Sequence, residues 1–181
     1  IGIHEYLRRY PGDPAIFAMR SGLTAKLIDL FARCHSRDWP WFETSLTYEN
    51  ARLCQALILS GQWMPHPQAL ETGLTTLHWL ASIQTTRTSC FRPIGSNGFY
   101  QRGGARADFD QQPVEAQAMV SACLEAYYAT GNPAWTDEAK RAFEWFLGRN
   151  DLGTALYDFA TGGCSDGLHA ARVRENQGAE S

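Results

Sequence analysis

Residues 106–147 read RADFDQQPVEAQAMVSACLEAYYATGNPAWTDEAKRAFEWFL. Two acids, Asp108 and Asp110, and two amides, Gln111 and Gln112, crowd in front of Pro113. Behind the proline the chain turns apolar at helical spacing through Val114, Met119, Val120, Leu124 and Tyr127, and stops at Gly131. Asn132 and Pro133 supply a cap and a first-turn proline for a second helix, from Ala134 to Leu147. The stretch predicts a helical hairpin over 113–131 and 134–148 whose first helix opens in a crowd of polar side chains. Capping alone needs one of them.

The same grammar extends upstream. Ile16, Met19, Leu23, Leu27, Leu30 and Phe31 share one face of a helix predicted over 15–35. Leu46, Leu53, Leu57 and Ile58 mark another over 45–61, with Gly61 as its expected C′ residue. Pro67 opens a third, carrying Leu70, Leu74, Leu77 and Leu80 over 67–84. Between it and Pro113 lies a glycine-rich loop of about 28 residues, 85–112, and a loop of that length is usually functional or disordered. A second irregular stretch, NDLGTALYDFATGGCSDGLHAARV, leads to RENQGAES. No stretch alternates convincingly enough for a strand, so an all-α fold of six or seven helices is expected.

A loose repeat organises these helices. Gln-x-x-Glu-small recurs from Gln112 to Gln177, 65 residues on, and Trp79 in LHWL is followed 66 residues later by Trp145 in FEWFL. Asn50 precedes Gln112 by 62 and opens another polar-then-apolar helix. One unit is thus a hairpin of about 65 residues, and repetition at that scale marks stacked helical pairs burying each other's apolar faces. The polar first turns fall on alternate helices and so gather at one end of the stack. A closed α/α toroid and an open solenoid both satisfy this pattern.

Composition narrows the function classes. Sixteen basic and nineteen acidic residues give a net charge of −3 with no run of either sign, which argues against a nucleic-acid or membrane-surface partner. Apolar residues make up 44% and aromatics 12%, as in a folded globular protein, and no stretch approaches the roughly 18 apolar residues of a membrane span. Five cysteines, Cys34, Cys54, Cys90, Cys123 and Cys164, stand apart without a Cys-x-x-Cys pair, so unpaired thiols and a cytoplasmic location are expected. No signal peptide opens the chain, and Ile1 and Ser181 are unusual ends, so a single domain, part of a longer protein, is expected. Gly103-Gly104 and Gly162-Gly163 lack the Lys and Ser/Thr of a phosphate loop, and Cys164 and His169 lie near each other without the second cysteine that a zinc site of this kind needs. Neither a cofactor nor a metal is expected.

The strings WFETSLTYENARLCQALILSG, PIGSNGFYQRGGARADFDQQPVEAQAMVSACLEAYYATG, RAFEWFLGRNDLG and LYDFATGGCSDGLHAARVRENQGAES, within residues 38–181, resemble the bacterial six-hairpin-glycosidase-like domains found in or beside family-four glycosyltransferases. Glu49, where aspartate is expected, and Cys54, where proline is expected, depart from that pattern. The resemblance implies an (α/α) toroid, here an incomplete ring, and a carbohydrate ligand. It also implies a glycosyltransferase domain in the same or a neighbouring chain.

Three polar crowds then form the candidate site: Tyr48, Glu49 and Asn50; residues 106–116; and Glu175, Asn176 and Gln177. For a glycoside-cleaving enzyme the candidate acids are Asp110, Glu49, Asp166 and Glu175, because cleavage needs two carboxylates across the scissile bond. Sugar hydroxyls suit amides, carboxylates and arginines, and sugar C–H faces stack on aromatic rings. The candidate ligand-binding residues are accordingly Trp41, Tyr48, Asn50, Arg52, Tyr100, Arg106, Gln111, Gln112, Asn176 and Gln177. Each also has a plainer reading. Asp110 caps a helix, Glu115 complements its dipole, the aromatics seal hairpin ends as core, and the arginines pair at the surface. A non-catalytic carbohydrate-binding or scaffolding module needs the same aromatics and amides without spaced acids. A sugar epimerase would place histidines in the funnel, where His169 alone is positioned to serve.

Overall fold

The computed structural model describes residues 1–64 and 66–174. Among them are six helices: α1 (Gly2–Arg9), α2 (Pro14–Cys34), α3 (Ala51–Trp63), α4 (Pro67–Ile83), α5 (Pro113–Thr130) and α6 (Ala134–Glu144). Two short antiparallel ladders join them. β1 (Ser45–Leu46) pairs with β2 (Tyr100–Gln101), and β3 (Gly167–His169) with β4 (Arg172–Arg174). The chain is helix-rich and mostly α, as expected, and its ladders of two or three residues are too short to alternate visibly in the sequence.

The helices begin where the local chemistry dictates. Asp13 accepts from the amides of Ala15 and Ile16 at 3.1 and 3.2 Å, and Pro14 follows as the first helical residue of α2. Asn50 braces the chain before α3, accepting from Thr47 N at 2.9 Å and donating from Nδ2 to Thr47 O at 2.8 Å. Residues 45 and 46 therefore belong to β1 rather than to the predicted helix. Gly131 closes α5 at φ 67°, and Asn132 Oδ1 caps α6 through Ala134 N at 3.0 Å. α6 ends at Glu144, and residues 145–148 continue as turns.

Helices α3 and α4 form one antiparallel hairpin, α5 and α6 another, and α3 lies against α5. The first hairpin closes through glycine. Gly61 is not a helix stop but sits inside α3, where a Cβ would fall 2.5 Å from Leu70 N of α4. Gly73 of α4 returns the contact, its missing Cβ lying 2.9 Å from Ile58. In the second hairpin α5 buries Ala116, Met119, Ala122, Cys123 and Ala126 rather than the predicted Leu124, which is exposed. Small side chains let neighbouring helices approach on this face.

The core joins Leu57, Ile58, Leu77 and Leu80 of the first hairpin to Met119 and Trp145 of the second. Trp41 and Phe42 are fully enclosed in it. At the other edge, α2 departs from expectation, since Met19 and Leu23 are about half exposed (52% and 49%) while Arg20 and Thr24 are buried. Thr24 donates to Ser60 Oγ of α3 at 2.9 Å, which holds that side chain against α3.

All five cysteines are free. Burial pushes the Cys54 thiol up to about 12 and raises that of Cys123 as well. Titration with Ellman's reagent is expected to find five thiols in denaturant. In the folded protein Cys34, Cys90 and Cys164 should react while Cys54 and Cys123 stay silent. Fewer than five in denaturant would contradict the free-thiol assignment.

Candidate functional site: the polar end of the hairpins

The first turns of α3 and α5 lie side by side. Asn50 Nδ2 donates to Glu115 Oε2 at 3.1 Å, Glu49 N donates to Glu115 Oε1, and Arg52 Nη2 donates to Gln117 Oε1. Residues 50 and 52 thus meet 115 and 117, a constant offset of 65, so α3 and α5 run parallel and open at the same end. The sequence assigned Glu115 only to the helix dipole. In the structure it is 3% exposed and ties one helix start to the other. Burial pushes its carboxyl up to about 7, against the pull of the donors from Asn50 and Glu49.

The long loop folds back in layers over this end. Gly95 N donates to Ala107 O at 2.8 Å, Ser96 N to Asp110 O at 3.0 Å and Ala107 N to Phe99 O at 2.8 Å. Gly95 permits this, since a Cβ there would lie 1.9 Å from Phe109 O. The 164–169 stretch docks alongside, where Gln111 and Leu168 exchange two backbone bonds of 2.8 and 2.9 Å. One residue before and after that exchange, the Asp110 carboxylate and His169 Nδ1 are in direct contact, about a third exposed. Gln112 Nε2 reaches Ser96 Oγ at 3.2 Å. The exposed Tyr48 ring meets Phe99 edge-on, centroids 5.0 Å apart.

Beneath the rim lies a polar network that holds it. Gln111 is fully buried, and its amide accepts from Trp145 Nε1 at 2.8 Å and donates to Asp108 O and Asp151 Oδ2 at 2.9 and 2.6 Å. Arg92 clasps Asp151 through Nε at 2.9 Å to both oxygens and reaches Asp108 at 3.2 Å. Arg106 bonds Ile83 O at 2.5 Å and Asp108 at 2.8 Å. Burial pushes the Asp108 carboxyl up, but the Arg106 and Arg92 guanidiniums hold it below its ordinary value.

The sequence-predicted residues therefore divide. Trp41, Asn50 and Gln111 are buried, Tyr100 is half-buried against Trp39 at 5.0 Å, and Arg106 is spent on Ile83 and Asp108. These five build the site without presenting themselves to a ligand, since the loops that use them fold over them. Tyr48, Glu49, Arg52, Asp110, Gln112 and Asp166 sit on the rim segments. Arg52 pairs with Glu49 at 3.3 Å. Glu175, Asn176 and Gln177 lie outside the described residues. The supporting roles of Arg92, Asp151 and Ser96 were not legible, because each partner is 14 to 59 residues away.

Among the described residues no group of three or more His, Cys, Asp or Glu is placed to hold a metal ion, and no helix is long and apolar enough to cross a membrane. No family model matches the chain, and comparison with curated proteins finds no match.

Proposed function

We propose that the protein is a carbohydrate-active domain of the (α/α) toroid class, binding or cleaving glycosides at the polar rim around the first turn of α5. The observation that carries this reading is the meeting of three chain segments at one end. The exposed Tyr48 ring lies against Phe99, and Glu49 comes from the entry to α3, Asp110 and Gln112 from the entry to α5, and His169 from the stretch docked beside them. A sugar ring would stack its C–H face on Tyr48 and offer hydroxyls to the carboxylates and the amide. In a glycosidase-like reaction two of Asp110, Glu49, Asp166 and Glu175 serve as acid and base. Retaining cleavage calls for two carboxyl groups about 5 Å apart and inverting cleavage for about 6.5–9.5 Å. His169, oriented by Asp110, adds a proton-transfer group to that set.

The Glu49–Arg52 ion pair favours a second reading, a non-catalytic carbohydrate-binding or scaffolding module associated with a glycosyltransferase. A panel of oligosaccharides, assayed in parallel for binding and for cleavage, separates the two. Under the first reading Asp110→Asn lowers turnover about 10²- to 10⁴-fold with little change in folding. Binding without cleavage, weakened by Tyr48→Ala, supports the second reading. If no sugar is bound or cut, both are wrong.

A further inference from the structure

Away from the rim, α1 packs on α2, and a cavity of about 350 Å³ lies among α1, α2 and α3. Small-molecule sites span roughly 300–1,000 Å³. Its walls are mostly apolar, with Leu23, Leu27, Leu30 and Leu59 among them. His4 and Arg20 line this cavity and also a smaller one of about 170 Å³, so they stand between the two.

Both side chains are more than nine-tenths buried, at 7% and 9% exposure, and neither is satisfied. His4 Nδ1 and Arg20 Nε have no hydrogen-bond partner among the described residues. Arg20 rests its guanidinium 5.1 Å from the Phe17 ring centroid. Burial alone acts on it, pulling its pKa down with no carboxylate to oppose. The other charges nearby do not relieve it. Lys26 and Arg8, which line the two cavities, are also cationic, and the acid of α1, Glu5, is exposed and paired with Arg8 at 3.2 Å. A buried guanidinium without an anion is costly, and a fork of N–H donors beside an imidazole matches a carboxylate.

We propose that this cavity is a binding site for a small amphiphilic carboxylate of the medium-chain fatty-acid type. Its carboxylate lies on Arg20 and His4, and its alkyl tail runs along Leu23, Leu27, Leu30 and Leu59. A phosphate would bring more charge and more oxygens than these two residues can meet, and a wholly apolar molecule would leave Arg20 unpaired. The site shares no residue with the polar rim, so it stands or falls independently of the carbohydrate reading.

Sodium octanoate is the probe, followed by calorimetry and by thermal shift, with octan-1-ol as the uncharged analogue. One equivalent is expected to bind saturably and raise Tm, with octanol weaker by roughly 10- to 100-fold, the loss of a charge-assisted bond. Arg20→Met keeps the stem, removes the charge and should weaken octanoate by a similar factor. Without ligand it is expected to melt no lower than the parent, because an unpaired buried charge has gone. Leu23→Trp, at a half-exposed position, fills the tail space and should abolish binding with Arg20 intact. Octanoate that fails to bind the parent, binds no better than octanol, or binds Arg20→Met undiminished overturns the proposal.

Discussion

Replacing Gln111 with alanine is expected to destabilise the protein by about 3–4 kcal/mol, since each buried polar group left unsatisfied costs about 1–3 kcal/mol. The substitution strands the indole N–H of Trp145, which is fully enclosed, and removes a donor from Asp151 and from the Asp108 carbonyl. No water-filled path is needed to relieve a surface amide, so Gln101→Ala, at an exposed position, serves as the control and should stay within about 0.5 kcal/mol. Urea unfolding checks the difference as a lower midpoint at unchanged slope. A loss below about 1 kcal/mol would mean that the network relaxes around the gap and does not hold the rim.

The second large effect is a pH dependence centred on Glu115. Its carboxyl rises from 4.5 unfolded to about 7 folded, through burial. The folded state therefore holds the proton more tightly. This contribution is fully present below about pH 4.5 and is lost as pH rises through about 7, where the folded carboxyl ionises. The separation of the two values corresponds to about 3 kcal/mol at about 1.4 kcal/mol per unit. Glu115→Gln cannot titrate, so the stability of the parent relative to this variant should fall by about that amount between about pH 4 and pH 8. Taking the difference cancels the other carboxylates, which titrate in both proteins. A flat difference across the window, or a Glu115 carboxyl that titrates by ¹³C NMR near its unfolded value, would rule out the buried acid as the source.

Most of the helical frame was legible because periodicity and caps are local. Pro67, Pro113, Gly131 and Asn132 mark boundaries that the structure keeps to within a residue or two. Gly61 reads as a stop in the sequence because a glycine that ends a helix and a glycine that admits a neighbouring helix look alike in one dimension. Only Leu70, packed on it from α4, distinguishes them. Helix α1 went unplaced, its eight residues being too few for a period. The crowd at 106–116 exceeds what a cap needs, yet which of its members face outward is not readable from the sequence. Gln111 and Gln112 are adjacent amides, and the backbone exchange with Leu168 sends one into the core and leaves the other half-buried at the rim. Glu115 illustrates the same limit, since its partners at Glu49 and Asn50 carry no local signal.

The parallel register of α3 and α5 also sorts the places where the chain tolerates changes of length. An insertion in the exposed turn at 87–89 changes the sequence distance between the two helices without touching the faces they present to each other. One added residue between Ala51 and Trp63 or between Pro113 and Thr130 turns everything beyond it by about 100°. Placed between Asn50 and Arg52, it would leave Glu115 joined to its partner while swinging Arg52 away from Gln117. Natural variation in length should therefore gather in the loops above the rim, and the two helices beneath it should keep a fixed residue count.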